Sequence, residues 1–232
     1  MLRPMHVVIP FKAKGGKSRL SPVLGPAERR SFSCAMLKDV LAAVAVFGQG
    51  KRTILSDLDF DPEEMGIDAE VLPSDLELND ALNSLISQQA GLGWPSDMLI
   101  VMADLALLRE KEIRDILNCP GDVVLCPGRG GGTNMILIRS PEFRTCYRGL
   151  SLPRHIAYAQ QTGLRLTVFE SFRGSCDIDE PQDLTEVLLH NNGEAKMALE
   201  MMGFHLSPSS RSAPERRSLK SDKIKKKVER GD

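Results

Sequence analysis

Short apolar runs alternate with longer stretches of helical periodicity along most of the chain. Residues 6–10, 53–55, 69–72, 98–102, 123–126, 133–138 and 164–169 are brief, β-branched or uniformly apolar, and read as strands. Between them, 26–47, 79–90, 110–117, 151–162 and 183–199 repeat apolar residues every three to four positions and read as helices, the last broken near Gly193. Pro26 opens the first helix; Phe32, Met36, Leu37, Val40, Leu41 and Val44 form its stripe, and Gly48 ends it. The run MLIVM at 98–102 is the most hydrophobic in the chain and reads as a central parallel strand, buried on both faces, with Asp97 as a cap. Strands alternating with helices at this spacing predict an α/β fold: one three-layer α/β/α domain with a mainly parallel, Rossmann-like sheet over residues 1–206.

Composition changes this picture only at the end of the chain. At 232 residues, 42% hydrophobic and 26% charged, the sequence supports one large domain. No apolar run reaches the ~20 residues of a membrane span, and no signal-peptide pattern opens the chain, so no membrane partner is expected. The five cysteines are odd in number and contain no C-x-x-C pair, which points away from disulfides and zinc and toward a cytoplasmic protein. The net charge of −1 conceals a basic C-terminal stretch: residues 207–232 hold nine Lys/Arg against four Asp/Glu. Rich in Ser, Pro and charge, they read as a flexible or weakly helical tail, a solvated extension rather than a nucleic-acid contact. Oligomeric state leaves no mark on the pattern, and a homodimer is the working expectation.

Candidate chemistry begins where the first strand ends. FKAKGGKSRL sets Lys12, Lys14, Lys17 and Arg19 around two glycines, with Ser18 among them. Glycines let backbone approach phosphate oxygens, and Lys and Arg neutralise them. Ligands of such sheets gather at the carboxyl ends of strands. The 98–102 strand delivers Asp104 to the same edge. Asp177-Ile178-Asp179, if extended, projects two carboxylates from one face about 6–7 Å apart. Acids facing a polyphosphate need a cation between them, and Mg²⁺ takes hard oxygen ligands alongside substrate phosphates. Asp104, Asp177 and Asp179 are therefore the candidate metal ligands, although Asp179 could instead cap the helix after Pro181. Asp183 reads as structural. Gly16-Lys17-Ser18 matches only the end of a Walker A motif, because Phe11 stands where its first glycine belongs. A second anion site is suggested by Gly128–Gly132, Thr133 and Asn134, and by Ser151, Arg154 and His155 at the head of a helix that Ser151 would cap.

Taken together, these segments resemble the 2-phospho-L-lactate guanylyltransferase family of coenzyme F-420 biosynthesis, a branch of the nucleotide-diphospho-sugar transferase-like fold. The residues that carry the resemblance are VIPFKAKGGKSRL at the start, Leu78-Asn79-Asp80-Ala81-Leu82, Ala103-Asp104-Leu105, Gly131-Gly132-Thr133-Asn134, Ser151 with Arg154-His155 and Ala159, and Asp177-Ile178-Asp179. Two positions depart from the family pattern: Ala106 replaces a usual proline, and Arg148 stands where a glycine is usual. The resemblance implies transfer of GMP from GTP to 2-phospho-L-lactate, with Mg²⁺ as cofactor. Lys12, Lys17, Arg19 and Asp104 would be catalytic, and Pro10, Ser18 and Asn79 would bind nucleotide. Thr133, Asn134, Ser151 and His155 would bind the small phosphorylated hydroxy acid. Competing readings are a related nucleotidyltransferase with another acceptor (phosphoenolpyruvate, 3-phosphoglycerate or molybdopterin) and an RNA-binding protein acting through the basic tail.

Overall fold

A computed structural model of the chain describes residues 4–12, 15–45, 50–57, 60–63, 66–67, 69–207 and 214–216. Lys14, the expected helix end at Phe47 and Gly48, and most of the tail lie outside the described residues.

The elements follow in the order β1 (Met5–Phe11), a 3₁₀ turn (Ser18–Leu20), α1 (Pro26–Val44), β2 (Lys51–Ser56), β3 (Glu70–Pro73), α2 (Leu78–Gly91), β4 (Asp97–Val101) and α3 (Glu110–Asn118). They continue with β5 (Val123–Pro127), β6 (Thr133–Ile138), α4 (Ser151–Gln161), β7 (Leu166–Val168), α5 (Phe172–Ser175), α6 (Asp183–His190) and α7 (Glu194–Met201). The chain described ends in a two-residue ribbon, β8 (Phe204–His205) and β9 (Glu215–Arg216). Seven strands form one sheet in the order β3-β2-β1-β4-β6-β5-β7. All neighbours run parallel except β6, which is antiparallel to both β4 and β5. The connection from Pro127 to Thr133 is far too short for a parallel crossover, so β6 must return as a hairpin. Its direction matters for the site, because the start of β6 lands beside the carboxyl ends of its neighbours.

Each buried strand feeds two cores. On one face Val7, Ile9, Leu99 and Val101 pack with Leu37 and Val40 of α1 and Ile113 of α3. On the other, Val8, Met98 and Ile100 meet Leu82 and Ile86 of α2. A third cluster lies beyond the sheet edge, where Leu20 and Phe32 pack with Ile178, Leu184, Val187 and Leu199. This cluster draws the loop after β1 against the Asp177–Asp179 segment.

Some local expectations change. Asp97 opens β4 as its first, buried residue and does not cap it; Arg139 approaches it at 3.7 Å. The break expected near Gly193 is present, and the 183–199 segment divides into α6 and α7 across Asn191–Gly193. The join is held by Asp39 of α1, which accepts from the backbone N–H groups of Glu194 (2.7 Å) and Ala195 (2.9 Å) and from Asn191 Nδ2 (2.8 Å). Asp39 thus caps a helix distant in sequence, and a β-carbon at Gly193 would lie 2.1 Å from its Oδ1. Asp39→Ala would strand several buried donors, each worth about 1–3 kcal/mol when unsatisfied. We expect a destabilisation of about 3 kcal/mol in urea unfolding, with the surviving folded fraction fully active. An unchanged midpoint would mean that water replaces the carboxylate. Arg216 of β9 pairs with Glu28 and lies over the Phe204 ring, 5.2 Å from its centroid, so this residue docks β9 on α1 and β8. No described helix is long and apolar enough to cross a membrane.

Candidate active site

Three segments far apart in sequence meet at the carboxyl edge of the sheet. Lys17 adopts a left-handed conformation (φ 56°, ψ 39°) just before the 3₁₀ turn and sends its side chain inward. Its Nζ donates to Asp104 Oδ2 at 2.7 Å and to Asp179 Oδ1 at 2.6 Å. Arg19 reaches Asp179 Oδ2 at 3.5 Å from a more exposed position. Burial alone would lower the Lys17 pKa, but the two carboxylates outweigh it and hold the ammonium above its ordinary value. The backbone is tied as well, since Ile178 N–H donates to the Asp104 carbonyl at 3.2 Å. Ile178 is fully buried, so the flanking Asp177 and Asp179 are turned toward the site.

Asp177 is oriented by Asn134, whose Nδ2 donates to Asp177 Oδ1 at 3.3 Å and to the Gly174 carbonyl at 3.1 Å. Burial raises its carboxyl pKa; the Asn134 bond opposes this, and the charges of Asp104 and Asp179 reinforce it. Asp183 closes the back of the segment: Oδ2 accepts from the N–H groups of Asp179 and Glu180, and Oδ1 from Arg129. Its structural assignment holds, and Asp183 rather than Asp179 takes the turn-capping role. Asn134 has little room to move. A β-carbon on Gly128 would lie 2.5 Å from its Oδ1. Gly128→Ala should displace Asn134, release Asp177 and lower turnover at least ~10-fold with secondary structure retained, read by steady-state kinetics and circular dichroism. Full activity would show that Asp177 needs no such support.

The acceptor-side residues form a buried relay. Thr133 Oγ1 lies 2.9 Å from His155 Nδ1 and 3.2 Å from Ser151 Oγ. Cys146 N–H donates to His155 Nε2 at 2.8 Å, so the neutral ring carries its proton on Nδ1 and donates to Thr133. Burial pushes the His155 pKa down to about 4, keeping it neutral in ordinary buffers. His155, expected as a substrate contact, is fully buried with both nitrogens engaged, and its ring is held against Thr133. Ser151 is likewise not the helix cap, a position held by Leu150; its hydroxyl turns to Thr133 instead. Arg148 is exposed, and the positive φ falls one residue later, at Gly149 (φ 56°).

Beside this edge lies a cleft of 420 Å³ lined by Pro10, Lys12, Ser56 and Asp57, with Leu76 and Leu78 from the loop before α2. A smaller hollow of 150 Å³ continues from Pro10 and Lys12 to Gly16, Lys17 and Asp104. Asn79 does not line the cleft. Its Oδ1 accepts from Tyr147 N–H at 2.6 Å, and with Asn83, which accepts from Thr145 N–H at 2.8 Å, it straps the loop before α4 onto α2. The loop before Asn79, expected together with it at the nucleoside end, forms this wall. Ser18 lies exposed in the 3₁₀ turn.

The donor set around Lys17 is hard oxygen only, suited to Mg²⁺. Asp104 Oδ1 is buried with no hydrogen-bond partner among the described residues, and an ammonium already stands between two of the acids, so the residues fit a cation. Among the described residues no three such side chains close into a metal-holding group.

A parallel sheet with one reversed strand, a cationic loop after β1 and acids converging at its carboxyl edge define a nucleotidyltransferase of the nucleotide-diphospho-sugar transferase type. Solved structures agree on the fold. One, from Desulfovibrio desulfuricans and provisionally assigned as a nucleotide-diphospho-sugar transferase, aligns with a TM-score of 0.67 at 16% identity, covering 86% of this chain and 95% of its own. A nucleotidyl transferase from Methanothermobacter thermautotroptrophicus aligns at 0.61 and 16% identity, covering 81% and 97%. Residues 5–221 match the family described as guanylyl transferase CofC like, and the chain belongs to that family. The 2-phospho-L-lactate guanylyltransferase of Methanothrix thermoacetophila is 47% identical over 217 residues, 90% of this chain and 94% of that protein. Its namesake in Methanoregula boonei is 42% identical over 203 residues, 87% and 90% respectively.

Proposed function

We propose that this chain transfers GMP from GTP to the phosphate of 2-phospho-L-lactate, releasing pyrophosphate and forming lactyl-2-diphospho-5′-guanosine for coenzyme F-420 biosynthesis. The observation that carries this reading is the Lys17 ion pair with Asp104 and Asp179, which unites the cationic loop and the acids at one edge. The identity to relatives of that name over nine-tenths of the chain supports the choice of substrates.

The chemistry suits the residues. A phosphate monoester has its second pKa near ~6, so the attacking oxygen is ionised at neutral pH and no general base is required. An acceptor oxygen bonds to the α-phosphorus of GTP as the bond to the β-phosphate oxygen breaks, and pyrophosphate leaves with the electron pair. The difficulty is bringing two anions together. Lys12, Lys17 and Arg19 hold the triphosphate and stabilise the leaving charge. Thr133, presented by His155 and Ser151, orients the acceptor; Asn134 holds Asp177 ready. A divalent cation, held by Asp104, Asp177 and Asp179, would supply positive charge between these acids and the phosphates. The five cysteines are free, in keeping with a reducing, cytoplasmic setting.

The test is pyrophosphate release from GTP and Mg²⁺ with 2-phospho-L-lactate, phosphoenolpyruvate and 3-phosphoglycerate offered separately. Turnover is expected to be highest with 2-phospho-L-lactate. A larger kcat/KM with another acceptor would reassign the substrate, and release with none of them would remove the proposed activity.

A further inference from the structure

The cleft beside the ion-pair site has a polarity that a phosphate does not explain. Among the described residues, its lining carries Asp57, Asp75 and Glu77 against a single cation, Lys12. A triphosphate would be repelled there, whereas the adjoining hollow with Lys12 and Lys17 would receive it. The walls are apolar. Leu55 and Ala81 line them, and Leu76 stands 54% exposed at the mouth. An apolar slot of this kind accepts a flat ring, and its polar edge then decides which ring.

That edge is made at the end of β2. Ser56 is 97% buried, by its 3% relative exposure, and its hydroxyl has no hydrogen-bond partner among the described residues. In the next residue, Asp57 Oδ1 is also buried and unpartnered. Two adjacent residues of one cleft wall, each with an orphaned polar atom, are costly unless something else completes those atoms. An ionised carboxylate only accepts hydrogen bonds, so the missing partner must donate. The Watson–Crick edge of guanine offers two neighbouring donors, N1–H and the 2-amino group. Adenine offers an unprotonated N1 at the same place, an acceptor that would face a carboxylate.

We infer that Ser56 and Asp57 read the guanine base, with the Asp57 carboxylate accepting from N1–H and the 2-amino group and the Ser56 hydroxyl donating to O6. This deepens the proposed GTP reading and rests on it. The selection of GTP over ATP then comes from leaving the Asp57 carboxylate without a donor, a stronger rejection than any loss of apolar contact. ITP, which lacks the 2-amino group, falls between them.

The experiment measures displacement of a fluorescent GTP analogue from the full-length protein by GTP, ITP and ATP, alongside pyrophosphate release with each. Wild type should rank GTP, ITP, ATP. In Asp57→Asn the side chain can donate to adenine N1 and accept from its 6-amino group, so the GTP-to-ATP preference should fall about 100-fold, with ATP use rising. Ser56→Ala should lower affinity for both GTP and ITP about 5- to 10-fold and leave ATP alone. Either pattern in a variant with wild-type circular dichroism supports the assignment. Unchanged preference in both variants overturns it while leaving the transferase activity intact, meaning that water serves these atoms. A wild type that binds no GTP but catalyses transfer from another nucleotide overturns the guanylyl reading and this assignment together.

Discussion

Asp104→Asn is expected to lower kcat by about 10²–10³ while leaving the fold and its thermal midpoint intact. The substitution keeps the shape of the side chain and an oxygen able to accept from Lys17, but it removes the charge. Asp104 follows β4, whose five residues are all buried, so its position is set by the strand and not by its own contacts. Of its two oxygens, only Oδ2 is used, by Lys17; Oδ1 is buried and unpartnered. Asp179 still pairs with the Lys17 ammonium at 2.6 Å after the substitution, so neutralising Asp104 should cost little stability. The charge is therefore expected to matter for catalysis, where a cation and the α-phosphate require it. Single-turnover kinetics with GTP and 2-phospho-L-lactate, beside an unfolding curve, check both halves. Equal turnover in the folded variant would remove Asp104 from the machinery.

What could be seen in the sequence followed from local chemistry, and what could not depended on packing. The strands and helices were legible because a βα alternation writes itself as runs of apolar residues separated by periodic ones. The rule that loops at carboxyl strand ends carry function then placed Lys17 and Asp104 on one edge. Asp177 and Asp179 joined them because Ile178 between them is apolar, a period of two that an extended segment turns into two faces. The reversal of β6 was hidden, since TNMILI is buried at every position and a run of that kind carries no sign of direction. Only the shortness of the Gly128–Gly132 connection could have revealed it. The duties of His155 and Asn79 were likewise out of reach. Both sit where a polar residue can face a ligand, and both are consumed by the loop before α4, whose path no spacing encodes. Ser56 and Asp57 belong to no motif; their unmet hydrogen bonds exist only once the cleft closes around them. The Asp39 cap on α7 joins residues 155 positions apart and has no local signature at all.

Lys17→Met should be at least as damaging as the loss of Asp104, and it should change the pH profile in a way that Asp104→Asn does not. In the wild type the Lys17 ammonium stands 2.7 Å from Asp104 and 2.6 Å from Asp179, separating two acids that also raise the pKa of Asp177. With an apolar side chain in its place, only the more exposed Arg19, 3.5 Å from Asp179, offsets the three carboxylates, and like charges favour protonation of one of them. Asp177, already raised by burial, is the group expected to take the proton. Activity that requires its ionised form is lost as pH falls through that pKa. The acid limb of kcat/KM should therefore begin above the ordinary aspartate range in the wild type and move further toward neutrality in Lys17→Met, with a fall of about 10²–10³ at the plateau. Lys17→Arg should not restore the rate, because a planar guanidinium on a left-handed residue cannot occupy a point position between two carboxylates. The pH profile separates two roles for the lysine. A lower plateau with an unmoved limb would mean that the ammonium acts on the nucleotide alone, while a moved limb shows that it also keeps the acids charged until the nucleotide arrives.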